Sequence, residues 1–291
     1  MNIITFDIEE WYLESIGQKR AEKFAEYDRY LEAILEKLEQ RGIKATFFCV
    51  GEMARLYPQV LKKIQSHGHE IGCHSNIHTW INKMSEEACR LDTQKAVDSL
   101  EQCVGEKVLA YRAPAFSIGE QNKWAFGILA ENGIVYDASV FPAKRDFGGF
   151  EGFGIETPCL VEYNGIRLKE FPVSMTTLLG KRLAYSGGGY FRFFPLSFVR
   201  REMSKKDYAM CYFHIGDLVA EMTKVMTKQE YEAYFKEPGS LKARYVRYIK
   251  SSLGIRHAFD KMLHLLDATE LKSIGEADKA IDWNDVKIVK L

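Results

Sequence analysis

The sequence predicts an α/β protein with a parallel sheet and helices packed outside it, either open or closed as a barrel. Two observations carry this. The first half of the chain alternates short apolar runs with helical patterns, and the connections between them are short. The chain has 291 residues, 46% of them hydrophobic, which is enough to bury a full core.

The elements follow in order. Residues 2–7 (Asn-Ile-Ile-Thr-Phe-Asp) read as a strand. Leu31, Ile34, Leu35 and Leu38 then recur at helical spacing, and Gly42 closes that helix. Residues 44–50 form a second strand. Val60, Leu61 and Ile64 mark a short helix that stops near Gly68, and residues 69–73 form a third strand. Ser85 has the character of an N-cap for a helix carrying Leu91, Val97 and Leu100. A strand over 108–111, a helix over 120–131 and a strand over 134–136 follow. Beyond about residue 140 the pattern changes. Gly148, Gly149, Gly152 and Gly154 loosen a loop, and Asn164-Gly165 joins two strand-like runs across 160–168, a strong hairpin signal. Glycines 187–189 and the aromatic run 190–194 precede a strand over 208–213. From about residue 228 the chain reads helical and charged, with Tyr245, Ile249, Leu263 and Leu266 expected as buried stripes. With no repeat or linker, a single domain over 1–291 is expected. Its core covers about 1–217, with a helical C-terminal extension of about 225–291.

Composition excludes several classes. Lys and Arg number 40, as do Asp and Glu, so the formal charge is zero. A chain this apolar is not disordered, and its neutrality leaves no electrostatic footprint for nucleic acid. No apolar run approaches the ~20 residues of a membrane span, and an ionisable residue at position 7 interrupts any signal-peptide core. The six cysteines lack CxxC spacing and read as free thiols, so the expected location is a reducing cytoplasm.

Three polar clusters fall at the C-terminal ends of the predicted strands, the edge where α/β folds carry ligands. Asp7-Ile8-Glu9-Glu10-Trp11 follows the first strand. Alternation sends Asp7 and Glu9 the same way, with Ile8 opposite. His74-Ser75-Asn76-Ile77-His78 follows the third, and histidines at i and i+4 on one helical face can clamp a cation. Tyr111-Arg112-Ala113-Pro114-Ala115-Phe116 follows the fourth and sets an Arg just before a rigid turn, ready to pair a carboxylate. His214, closing the strand over 208–213, is placed to act as a general acid.

The order of these clusters resembles the NodB-type polysaccharide deacetylases, carbohydrate esterase family 4, over roughly residues 3–217. The match rests on Asp7-x-Glu9, Ala45-Thr-Phe-Phe-x-x-Gly51, Gly68-His-Glu-Ile-Gly-x-His-Ser-x-x-His78, Arg112-x-Pro114 and the late His214. Tyr136-Asp-Ala-Ser139, Ser186-Gly-Gly-Gly-Tyr-Phe-Arg192 and Tyr212-Phe-His214 resemble the subgroup found with bacterial exopolysaccharide and lipopolysaccharide synthesis. The resemblance implies a deformed (β/α) barrel, here with a hairpin insertion and a helical tail. It implies a divalent metal, zinc or else cobalt or nickel, held by His74, His78 and a carboxylate.

The family usually writes two adjacent aspartates at its first motif. Here the second is Ile8, so Asp7 is assigned as base and Glu9 as ligand, with Glu10 a competitor. Arg112 is implied to pair with and orient Asp7, the Ala115 N–H to hold the oxyanion, and His214 to protonate the leaving amine. The acid that tunes His214 is left between Asp137 and Asp146. Ser75 is grouped with the substrate-binding residues, and Trp11, Trp80, Phe116 and Tyr190 are candidates to stack on sugar faces. The implied reaction is removal of an acetyl group from an N-acetylated sugar of a cell-surface polysaccharide or its precursor. Two other readings stay open: a metal-independent amidase acting on small cyclic amides, or a non-catalytic carbohydrate-binding relative. The oligomeric state is not legible.

Overall fold

The computed structural model describes residues 1–9, 20–145, 148–219, 224–235 and 238–291. The first seven strands are β1 (Asn2–Ile8), β2 (Thr46–Cys49), β3 (Glu70–Cys73), β4 (Ala110–Tyr111), β5 (Tyr136–Asp137), β6 (Cys159–Tyr163) and β7 (Ile166–Glu170). The last four are β8 (Met175–Leu178), β9 (Lys181–Ala184), β10 (Ala209–His214) and β11 (Ile288–Lys290). Helices α1 (Arg20–Gln40), α2 (Gly51–Leu56), α3 (Pro58–Ser66), α4 (Glu86–Val104) and α5 (Trp124–Glu131) occupy the first half. The second half carries α6 (Gly188–Phe193), α7 (Leu196–Ser204), α8 (Lys228–Phe235), α9 (Leu241–Ser252), α10 (Ala258–Ala268) and α11 (Ile274–Ala280).

Nine strands form one sheet in the order β10-β1-β2-β3-β4-β5-β7-β6-β11. From β10 to β7 every pairing is parallel, and β6 turns back antiparallel to β7. The turn between them has Asn164 at φ 48° and Gly165 at φ 80°, two left-handed residues as a type I′ hairpin requires. The hairpin is part of the sheet, since β7 extends it beyond β5 and β6 pairs with β11.

The sheet curls. β10 and β7 lie six positions apart in its order, which in a flat sheet is about 29 Å. Yet Tyr208, just before β10, donates its hydroxyl to the carbonyl of Pro172, just after β7, at 2.7 Å. Alternation along β1 fills the two sides of the curl. Ile4, Phe6 and Ile8 join Leu31, Ile34, Leu35 and Leu38 of α1 in the outer core. Ile3 faces inward with Phe48, Ala110, Tyr136, Phe171 and Met210. Thr5 and Asp7 follow Ile3 on that inner side.

The C-terminal segment is woven into the same body. α11 adds Ile274 and Ala277 to the inner cluster. Its start is pinned by Ile274 N–H to Thr46 Oγ1 at 2.8 Å and Gly275 N–H to Glu70 Oε2 at 3.0 Å. α10 buries Met262, Leu265 and Leu266 against the outer core, with Leu263 partly buried. The expected stripe of Tyr245 and Ile249 does not form. Both are exposed, and α9 buries no residue.

Ile8 faces the helical layer, so Ile8→Asp puts a charge into apolar packing. It is expected to cost about 3 kcal/mol or more, measured by denaturant unfolding. A loss under about 1 kcal/mol would mean that position 8 faces the mouth instead.

Candidate active site

Asp7 is held from the far side of the curl. Arg112, one residue past β4, donates Nη1 to Asp7 Oδ1 at 2.8 Å and to Thr5 Oγ1 at 2.7 Å. Its Nε donates to Ala138 O at 3.2 Å, and the guanidinium lies 4.3 Å from the Phe48 ring centre. Both side chains of the pair are fully buried. A planar fork that hydrogen-bonds at one edge and stacks on its face suits Arg and not Lys.

Glu9 lies next along the inner side. Its Oε2 is 3.0 Å from His74 Nε2 and in contact with His78 Nε2. Ligand atoms of Glu9, His74 and His78 all lie within 4.8 Å of one another. The two histidines do not meet on a helix. Residues 74–78 form an irregular loop, with Ser75 at φ 64° and His78 at φ 60°. The loop is pinned from two sides. The first N–H groups of α2 donate to it, Gly51 to Ser75 O and Glu52 to Asn76 O, each at 2.9 Å. Asn76 N–H in turn donates to Asp92 of α4 at 2.9 Å. The Ser75 hydroxyl is buried with no partner among the described residues.

The donor set fits a divalent ion. His74 Nδ1 is 2.7 Å from the Arg112 carbonyl, which can only accept, so Nδ1 carries the hydrogen. Nε2 is then the ring atom turned toward the Glu9 carboxylate. A proton on Nε2 joins the two as a hydrogen bond, and a divalent ion bound by the Nε2 lone pair and the carboxylate would take its place. A backbone carbonyl behind a ligating imidazole is also the usual second support of a metal-binding histidine. Burial works against the charged form of Glu9, but His78, His214 and His74 outweigh it and hold its carboxyl well below the usual range. Burial likewise opposes the His78 imidazolium, and Glu9 reverses the shift upward.

His214 stands at the end of β10, in register with Asp7 on β1. Its Nε2 is 3.5 Å from Asp7 Oδ2 and 3.3 Å from Glu9 Oε1. Its Nδ1 is 2.7 Å from Asp217 Oδ2. Burial opposes its protonation, but Glu9, Asp217 and Asp7 together push the imidazole well above its ordinary value. The acid that faces His214 is therefore Asp217, not Asp137. Asp217 lies three residues on, in a tight turn where it also accepts the His214 N–H at 3.3 Å. Arg192 Nη1 approaches its other oxygen at 3.6 Å. A His-x-x-Asp spacing at a strand end was the signal available for it.

Asp137 serves the neighbouring turn. It is buried on β5, and its Oδ1 accepts from Ser139 Oγ at 2.5 Å. Ser139 Oγ in turn accepts the Ala113 N–H at 2.7 Å, which anchors the turn that follows Arg112. Burial pushes Asp137 up to about 6, and burial with the facing Asp137 holds Glu170 well above its usual value. Ala115 and Phe116 in that turn are both left-handed, at φ 56° and 52°. Gly148 backs them so closely that a Cβ there would lie 2.5 Å from the Ala115 carbonyl oxygen.

Phe116 is buried against Phe141 and Tyr212, so its ring offers no open face for a sugar. Tyr190 is exposed on α6. Trp80 lies under Lys83, whose Nζ is 4.0 Å from its ring centre. Trp11, Glu10 and Asp146 lie outside the described residues.

Residues 3–136 match the family model described as polysaccharide deacetylase. That match covers a little under half of the chain. Residues 138–278 match a second model, a domain of unknown function (DUF3473). That model holds His214, Asp217 and Arg192, so the segment matched by the first model does not contain all of the clustered residues. A Bacillus cereus peptidoglycan-N-acetylglucosamine deacetylase is 39% identical over 93 residues, 32% of this chain and 34% of the relative. An Azorhizobium caulinodans chitooligosaccharide deacetylase is 32% identical over 83 residues, 28% of this chain and 40% of the relative. The chain thus spans about a third to two-fifths of these deacetylases. A solved Mycobacterium smegmatis protein described as a polysaccharide deacetylase superposes at TM-score 0.62 with 17% identity, covering 100% of this chain and 92% of that one. An allantoinase structure (Puue) gives TM-score 0.53 with 16% identity, over 86% and 90%. At these identities the likeness is one of fold.

Removing Arg112 leaves Asp7 buried without its counter-charge. Arg112→Met is expected to lose about 3–5 kcal/mol of unfolding free energy, measured by urea denaturation. A near-neutral result would mean that water reaches the pair.

Proposed function

We propose that this chain is a divalent-metal-dependent N-deacetylase acting on an N-acetylated sugar of a cell-surface polysaccharide or its precursor. One observation carries the reading. Glu9, His74 and His78 converge on one point, and both a buried carboxylate and an acid-backed imidazole lie beside them. This clustering supports a metal enzyme over a metal-independent amidase on the same scaffold. The deacetylase names of the relatives support the acyl-sugar substrate, and the Ser186–Arg192 motif supports the exopolysaccharide or lipopolysaccharide setting.

Glu9, His74 and His78 would hold the ion, with zinc the first choice for a His₂-carboxylate set and cobalt or nickel able to substitute. When bound, such an ion supplies a Lewis acid for the amide carbonyl and acidifies a water. Arg112 holds Asp7 Oδ1, which leaves Oδ2 turned toward His214 at 3.5 Å and oriented to accept the proton of the attacking water. Protonated His214, steadied at Nδ1 by Asp217, gives a proton from Nε2 to the departing amine nitrogen. The Ala115 N–H sits in the strained turn beside Arg112 and is the backbone candidate for the oxyanion.

The test is acetate release from N-acetylated oligosaccharides, with and without a chelator. Wild type is expected to release acetate, to stop on full metal removal, and to recover with zinc, cobalt or nickel. His74→Ala and His78→Ala are expected to lose bound metal by elemental analysis. Activity that persists after complete metal removal would sink the reading.

Asp217→Asn tests the acid. Asp217 helps raise the His214 imidazole, and a general acid works only while protonated. Its loss lowers that pKa, so the falling limb of the rate profile moves to lower pH. The rate at neutral pH is expected to drop by about 10²-fold. An unmoved alkaline limb would remove His214 from the acid role.

A further inference from the structure

α9 shows solvent its apolar side. Its exposed positions are 241, 242, 245, 246, 249 and 250, continued by 253, which is one face at helical spacing. That face carries Leu241, Tyr245, Val246, Ile249 and Leu253, each between 41% and 62% exposed, with Lys242 and Lys250 among them. The half-buried side carries Ala243, Arg244, Arg247, Tyr248, Ser251 and Ser252. It is tied inward by such contacts as Arg244 Nη1 to Met226 O at 2.9 Å. A helix on a soluble surface normally does the reverse. Phe193 of α6 is exposed nearby, where its neighbour Arg192 donates Nη2 to Lys250 O at 3.0 Å.

We propose that this face docks the protein onto an anionic lipid surface. Charge selects that occupant. The charged side chains exposed on the face are Lys242 and Lys250, and the sequence between Glu237 and Asp260 contains no acid. Two copies apposed through this face would set Lys242 and Lys250 against each other's lysines, with no acid in the segment to offset them. Anionic headgroups meet them with opposite charge. The apolar side chains then enter the acyl boundary, with Tyr245 at the headgroup level. With 12 residues, α9 is too short to span and lies in the plane of the surface.

The face is joined to the candidate site. Arg192 bridges from the Lys250 carbonyl to Asp217, the acid behind His214. Lys261 Nζ grips the end of α6 through the Arg192 carbonyl at 3.2 Å and that of Phe194 at 2.7 Å. A saccharide carried at the lipid surface would thus be presented beside the mouth. That last step rests on the deacetylase reading; the docking does not.

Co-sedimentation of the full chain with vesicles tests it, using phosphatidylcholine alone and phosphatidylcholine with phosphatidylglycerol. Wild type is expected to sediment with the anionic vesicles and to be released by salt. Ile249→Asp should weaken binding about tenfold or more. Lys242→Glu and Lys250→Glu should each weaken it about fivefold at low salt. All three should keep the wild-type circular dichroism spectrum, and Ile249→Ser replaces Ile249→Asp if that variant unfolds. Acetate release from a water-soluble oligosaccharide should not change. The proposal is overturned if folded wild type binds neither vesicle, or if the substitutions leave binding unchanged. It is equally overturned by a dimer, seen by sedimentation velocity, that Ile249→Asp dissolves without any vesicle binding.

Discussion

The arrangement of the site depends on one buried ion pair, Arg112 with Asp7. It joins strands that are three positions apart in the sheet order, so it exists only because the sheet curls. A pair taken so far out of water is stable only if its other valences are filled. Thr5, the Ala138 carbonyl and the Phe48 ring do that for the guanidinium. The same residue governs the neighbouring groups. Its carbonyl orients His74, and its chain continues into the turn that Ser139 anchors through Ala113. Asp7, His74 and the turn after Arg112 are thus all held from one fixed residue.

Charge is concentrated here in a chain whose sum is zero. Asp7, Glu9 and Asp217 face Arg112, Arg192 and three imidazoles within a few contacts. Each buried charge is tolerable because an opposite one is adjacent, which is why burial alone decides none of the shifts at Glu9, His78 or His214. The coupling runs past the segment that the first family model matches. His214 and Asp217 come from the second half, and Arg192 links them to the C-terminal helices. The two halves share a single constellation.

Much of this was legible in the sequence. The β–α alternation, the Asn164-Gly165 hairpin and the inward phase of Asp7 and Glu9 all follow from local periodicity and turn chemistry. The structure brings together Asp7, Glu9, His74, His78, Arg112 and His214, six residues spread over more than two hundred positions. Two expectations failed for a common reason. Asp137 was a candidate partner for His214, but its direction on β5 leads it to Ser139 and Glu170 instead. Tyr245 and Ile249 have helical spacing, but spacing does not say which side of a helix the rest of the protein covers.

The sequence by itself determined the fold class, the strand ends where the polar groups cluster, and the types of group found there. These depend on patterns a few residues long. Only the tertiary structure decided that the sheet curls tightly enough for Arg112 to reach Asp7. It alone showed that a pinned left-handed loop, not a helix, aims His74 and His78 at Glu9. It alone decided that Asp217 stands behind His214 and that α9 turns its apolar face outward. Those outcomes depend on the distances and orientations of segments far apart in the chain, and periodicity carries no record of them.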